Sequence, residues 1–81
     1  MTGPPSHPGR VLRAALTSAQ ISQVTFADMT GLSAKHINQV IAGKAALSVS
    51  VAVLLERTLP YPAEYWLTLQ MAYDLYRARR L

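Results

Sequence analysis

Gln23 to Lys44 reads QVTFADMTGLSAKHINQVIAGK, and its apolar and small residues fall where two short helices joined by a tight turn need them. Val24, Phe26 and Ala27 supply a buried face for the first helix. Gly31 is the residue best able to adopt a left-handed turn, so that helix is expected to stop near Thr30. Ser33 then stands where an N-cap is needed, its hydroxyl accepting from the His36 N–H, and a second helix runs through Ala42 until Gly43 ends it. On this second helix Ile37, Val40 and Ile41 share one face at helical spacing, which leaves Lys35, His36, Asn38 and Gln39 pointing away from the core. The expected outer face is polar, cationic and free of acids.

Two helices joined by one turn, the second carrying such a face, form a unit that presents its polar side to the DNA major groove. Asn38 and Gln39 are of the type that pairs in bidentate fashion with adenine, and Lys35 of the type that reaches guanine O6 and N7. Ser33 can meet a phosphate or a base. Gln23, at the start of the preceding helix, combines its amide with free backbone N–H groups suited to a phosphate, and Lys44 is a further phosphate candidate.

Outward from this stretch, residues 1–6 with Gly3, Pro4 and Pro5 read as a flexible lead, and residues 7–81 as one domain. Pro8 can occupy the first turn of a helix at no hydrogen-bond cost, and Val11, Leu12, Ala15, Leu16 and Ala19 form its apolar stripe with Arg10 and Arg13 outside. Ser48 caps a fourth helix carrying Val49, Ala52, Val53, Leu55 and Glu56. Pro60 and Pro62 break the chain, and a fifth helix is expected from about Ala63 to Arg79. The fold expected is all-α, with five helices.

Eight Lys and Arg against four acids give this 81-residue chain a formal charge of +4, which favours a polyanionic partner. The length suffices for one core but not for an enclosed cleft with a lid. No apolar run approaches the roughly 20 residues of a membrane helix, the chain contains no cysteine, and its start lacks the apolar core of a secretory signal. The expectation is a soluble, cytoplasmic, nucleoid-associated protein.

The fifth helix carries most of the aromatics. Trp66, Leu69 and Tyr73 lie on one stripe, Leu67, Met71 and Leu75 on another, and Tyr65 and Tyr76 widen the apolar circumference beyond what one small core needs. Trp66 and Leu69 can close the core under the first and fourth helices. For the surplus, a homodimer contact through Tyr65, Trp66, Leu69, Tyr73 and Tyr76 is expected, and twofold symmetry matches a palindromic operator. Arg77, Arg79 and Arg80 complement the helix macrodipole or touch phosphate.

HPGRVL from His7, SQ at Ser22 and Gln23, GLSAKHINQVIAGK from Gly31 to Lys44, and EYWLTLQMAYDLYR from Glu64 to Arg77 together resemble the HigA-type antitoxins of the Xre-like helix-turn-helix group. The resemblance implies a compact, dimeric five-helix domain of lambda-repressor-like type that binds its own promoter. It also implies a partner toxin, an mRNA-cutting ribonuclease of the RelE-like kind. Matching positions place DNA contact at Gln23, Ser33, Ala34, Lys35, His36 and Gln39. The chain departs from the group's pattern at Val24 and Thr25, since relatives usually place an acidic residue after Gln and Ala at the start of this helix, and at Ala34, where longer polar side chains often read bases.

Other chemistry has little support. His7 and His36 stand far apart, neither has a second ligand at metal spacing, and His7 falls in the expected frayed start of the chain. Asp28, Glu56, Glu64 and Asp74 form no pair that predicts a catalytic dyad, and the four glycines make no phosphate-cradling loop. No metal, cofactor or enzyme activity is expected. The readings that stand are a dimeric transcriptional repressor that is the antitoxin of a toxin–antitoxin pair, a phage-type repressor or Cro-like regulator without a toxin, and a module whose main task is blocking a toxin through the first and fifth helices.

Overall fold

The computed structural model describes residues 4–81, which form five helices: α1 (Pro8–Ala19), α2 (Gln23–Thr30), α3 (Ala34–Ile41), α4 (Val49–Thr58) and α5 (Ala63–Arg79), with no strand among the described residues. Of the lead expected over residues 1–6, residues 1–3 lie outside those described, and Pro4 to Ser6 carry no regular secondary structure.

Helix starts follow local chemistry. Ser22, Ser33 and Ser48 each hold extended backbone and accept a hydrogen bond from the N–H three residues on, in Thr25, His36 and Val51. Pro62 precedes α5 without a side-chain cap. The Ala63 N–H instead donates to Glu56 Oε1 at 2.8 Å, so a carboxylate from α4 serves the positive end of α5. Gly31 ends α2 at φ +77°, its N–H donating to the Ala27 carbonyl at 2.8 Å.

His7 overturns one expectation. It is buried rather than frayed, caps α1 by accepting the Gly9 N–H on Nδ1 at 2.9 Å, and sets its ring edge-on to Tyr73 of α5 with centroids 4.8 Å apart. Burial pushes its pKa below the ordinary value, with the Asp74 carboxylate acting against that shift and the Arg77 guanidinium with it. A neutral imidazole is what the cap requires, because Nδ1 must keep its lone pair.

The core gathers Leu12 and Leu16 of α1, Phe26 of α2, Ile37 and Val40 of α3, Leu47, Val51, Ala52 and Leu55 around α4, then Leu59 and Trp66. Helix α4 packs on α5 and α1 on α3, which leaves α2 and α3 together at one side of the molecule. Two apolar residues lie outside the core: Val24, expected on a buried face, is 66% exposed, and Val49 is 65% exposed. Both sit in the first turn of their helices, before the chain descends onto the core.

The surplus apolar surface of α5 is partly an inside surface. Trp66 is fully buried, so it belongs to the core and has no face to offer a second copy. Gln70, one turn later, is buried as well. Its Oε1 accepts the Leu47 N–H at 2.8 Å and its Nε2 donates to Asp74 Oδ1 at 2.9 Å, tying the loop before α4 to α5. Beyond Gln70 no residue of α5 is fully buried, and the chain's long dimension reaches 37 Å.

Candidate nucleic-acid interface

The α2–α3 pair presents one surface. Phe26, Ile37 and Val40 anchor it from below, and Gly31 at φ +77° and half-buried Leu32 make the turn between the helices. On α3 the exposed residues are Ala34, Lys35 and Asn38, followed by Ala42 just past the helix end, whereas His36 and Gln39 are half-buried along its flanks. The outer face is therefore narrower and less polar than the pattern of the sequence suggested. Lys35 and Asn38 stand on it, His36 and Gln39 border it, and Ala34 occupies its first turn.

Gln23 reaches this face from α2. Its Oε1 accepts from Asn38 Nδ2 at 3.5 Å, so the start of one helix and the middle of the next share a polar contact. The Ser33 hydroxyl accepts the His36 N–H at 3.0 Å and remains exposed. Lys44 lies exposed in the turn after α3, which the Gln39 carbonyl shapes by accepting both the Lys44 N–H at 2.8 Å and the Ala45 N–H at 3.2 Å. Neither α3 nor this turn carries an acid, and Asp28 is the one carboxylate between Gln23 and Lys44. Such a surface attracts a polyanion along its rim and offers hydrogen-bonding groups at its centre.

Beside it, Arg13 and Thr17 of α1 share with Ser22, Gln23 and Ile41 an open hollow of about 210 Å³. In the sequence Arg13 only stands outside the apolar stripe of α1. Its nearness to Gln23 depends on how α1 crosses α3, which helical spacing does not reveal.

The residues expected at a dimer contact divide. Tyr65, Leu69, Tyr73 and Tyr76 follow one another at spacings of four, four and three along one side of α5, Tyr65 being 38% exposed and the others half-buried. Arg77 and Arg80 fold back over the Tyr73 and Tyr76 rings at 5.7 and 5.3 Å. Met71 and Leu75, 56% and 41% exposed, form a second apolar flank. Among the described residues no group of three or more His, Asp or Glu could hold a metal ion, and no helix is long and apolar enough to cross a membrane.

The helix-turn-helix family HTH_3 matches residues 12–66. No curated protein matches the chain by sequence. Among solved structures, a protein from Nostoc punctiforme described as the antidote of a plasmid maintenance system is 33% identical, with a TM-score of 0.91 over 96% of this chain and 86% of that one. The Pseudomonas aeruginosa antitoxin HigA, solved with the higBA promoter, is 32% identical with a TM-score of 0.86 over 91% and 82%. A further Pseudomonas aeruginosa protein, solved with its 18 bp operator DNA, has the same identity and TM-score over 91% and 81%. Matched over more than half its length by the family and over nearly all of it by these structures, the chain belongs to the HTH_3 helix-turn-helix family, in its HigA-type antitoxin branch.

Proposed function

We propose that the protein is a sequence-specific DNA-binding repressor that acts in the cytoplasm, occupies a palindromic operator in its own promoter as a homodimer, and serves as the antitoxin of a toxin–antitoxin pair. One observation carries the DNA reading: exposed Lys35 and Asn38 stand on an acid-free α3, with Gln23 of α2 bonded to Asn38 across the helix-turn-helix. In this reading Lys35, Asn38 and Gln39 address base edges, and Gln23, Ser33, His36 and Lys44 hold the phosphate backbone. The formal charge of +4 and the relatives solved with promoter or operator DNA support it. The strip Tyr65, Leu69, Tyr73 and Tyr76 is the proposed dimer contact, without Trp66. The proposed toxin is a ribonuclease of the RelE-like kind, in keeping with membership of the HigA-type branch.

A titration of the purified protein against its own upstream DNA, at two salt concentrations and with random duplex as competitor, tests the reading. A specific complex of two protomers, weakened by salt, is expected. Affinity no better than for random duplex would exclude operator binding. Co-purification with the product of a neighbouring gene that cleaves mRNA tests the toxin partner.

A further inference from the structure

The outward side of α3 bears a methyl group where a reading side chain would be expected to reach furthest. Ala34 and Asn38 are exposed one turn apart on the same side of the helix, with Lys35 next to them. Along the helix axis this spacing is about 6 Å. Base pairs stack about 3.4 Å apart, so whatever the two side chains meet in a groove lies within two base pairs.

Each side chain narrows the choice of base. Ala34 has only a methyl to offer, and the largest apolar group on any base edge in the major groove is the C5-methyl of thymine. The N7, O6, O4 and amino groups there are polar and would lose water against the alanine without compensation. Asn38 is constrained by its neighbour. With one Nδ2 hydrogen directed to Gln23 Oε1, Asn38 keeps one N–H and its Oδ1 to offer a base. Adenine presents the matching pair, N6 as donor and N7 as acceptor, whereas guanine presents two acceptors, one of which would face Oδ1.

We infer that Ala34 and Asn38 act as one reading unit for a thymine and an adenine lying within two base pairs of each other in each half-site, with Gln23 as the positioning residue that orients the Asn38 amide. The inference rests on the DNA-binding reading and adds to it the base chemistry of the operator.

The test begins with a duplex selected from a random library by the full chain. Its thymines are replaced singly by deoxyuridine, which lacks the C5-methyl, and its adenines singly by 7-deazaadenine, which lacks the N7 acceptor. One thymine per half-site should weaken wild-type binding about fourfold when replaced, the worth of one buried methyl. Ala34→Gly should bind the thymine and deoxyuridine duplexes equally. That ratio is unaffected by any general loss of stability in the variant. An adenine within two base pairs should weaken wild-type binding roughly tenfold when replaced, and Gln23→Ala should shrink that penalty. A flat deoxyuridine series, a penalty that persists in Ala34→Gly, or sensitive bases further apart would overturn the inference while leaving operator binding intact. Failure to select any duplex over random sequence would overturn the DNA reading and this inference with it.

Discussion

Gly9 of α1 lies against the carbonyl of Val40 in α3. A Cβ built on Gly9 would stand 2.8 Å from the Val40 carbonyl carbon, 2.9 Å from the Ile41 Cα, and closer still to the carbonyl oxygen. These are backbone atoms, so no rotamer change can make room. Gly9→Ala should therefore push α1 away from α3 and cost about 3 kcal/mol, the upper end for overpacking. A domain of this size holds only roughly 4 to 12 kcal/mol in total. Gly31→Ala is the control: a Cβ there meets open space, and only the positive φ opposes it, at about 1 kcal/mol. Urea denaturation of the two variants should rank them in that order.

Gln70 connects two parts of the chain that are far apart in sequence. Replacing it by Met keeps much of its volume but leaves the buried Leu47 N–H without an acceptor. The expected cost is about 1–3 kcal/mol, the penalty for an unsatisfied buried donor. Gln70→Glu preserves the acceptor but sets a second carboxylate where Nε2 now donates to Asp74, so it should also destabilise, and less so at high salt, which screens like charges. Thermal unfolding at low and high salt separates these two effects.

The parts of this fold legible from sequence are the local ones. Ser22, Ser33 and Ser48 act on N–H groups three residues away, and Gly31 acts on its own dihedral, so the starts of α2, α3 and α4 and the turn between α2 and α3 follow from short-range chemistry. Burial is a tertiary matter. Val24 belongs to an apolar pattern, yet α2 has only eight residues and its first turn stands clear of the core. The inward positions of Ile37, Val40 and Ile41 imply that His36 and Gln39 point outward, but on a helix of two turns the flanks are neither inside nor outside. Trp66 shares a stripe with Leu69 and Tyr73, and helical spacing alone does not say which of the three the other helices cover. His7 depends on distant parts of the chain. An imidazole accepts a capping hydrogen bond only in the neutral form, and the His7 ring is covered by Tyr73 of α5 and lies close to Gly43 after α3.

That burial has a pH consequence. The folded His7 has a pKa below its ordinary 6.5. As pH falls, the unfolded chain takes up this proton before the folded protein does. Stability from this source is complete above about pH 6.5, declines below it, and stops declining once the folded imidazole is itself protonated. His7→Asn keeps a capping acceptor without titrating in this range. The urea midpoint of the wild type should therefore drop between pH 7.5 and 5.5 by more than that of His7→Asn. Equal slopes would mean that His7 is not the source.

On DNA, the lysines at the two ends of the candidate interface should behave differently. Lys35 lies on the exposed face of α3, whereas Lys44 lies in the turn beyond it. Lys35→Ala is expected to lose about 1–3 kcal/mol on the specific site and little on random duplex. Gln39→Ala, from the flank of the same helix, should do likewise and more weakly. Lys44→Ala should weaken both kinds of DNA alike and lower the slope of log K against log salt by about one. Titrations at four salt concentrations distinguish the two patterns, and an equal loss for Lys35→Ala on random duplex would remove it from base reading.

The proposed dimer contact can be tested by changing one flank of α5 at a time. Tyr65 and Tyr76 belong to the strip that continues through Leu69 and Tyr73, whereas Met71 projects on the other flank. A buried aromatic at an interface is commonly worth 2 kcal/mol or more, so Tyr76→Arg or Tyr65→Arg should raise the dimer dissociation constant at least about 30-fold. Both variants leave the buried Trp66 and Gln70 in place, so helical content should survive, and Tyr76→Arg is the cleaner of the two because the Tyr65 ring stands edge-on to the Trp66 indole at 5.7 Å. Sedimentation equilibrium with circular dichroism measures both quantities. Because a lone domain halves the phosphate contacts, the monomeric variant should also lose most of its affinity for a two-half-site duplex, with a smaller salt slope than the wild type. If Met71→Arg dissociates the dimer and Tyr76→Arg does not, the contact lies on the Met71 and Leu75 flank instead.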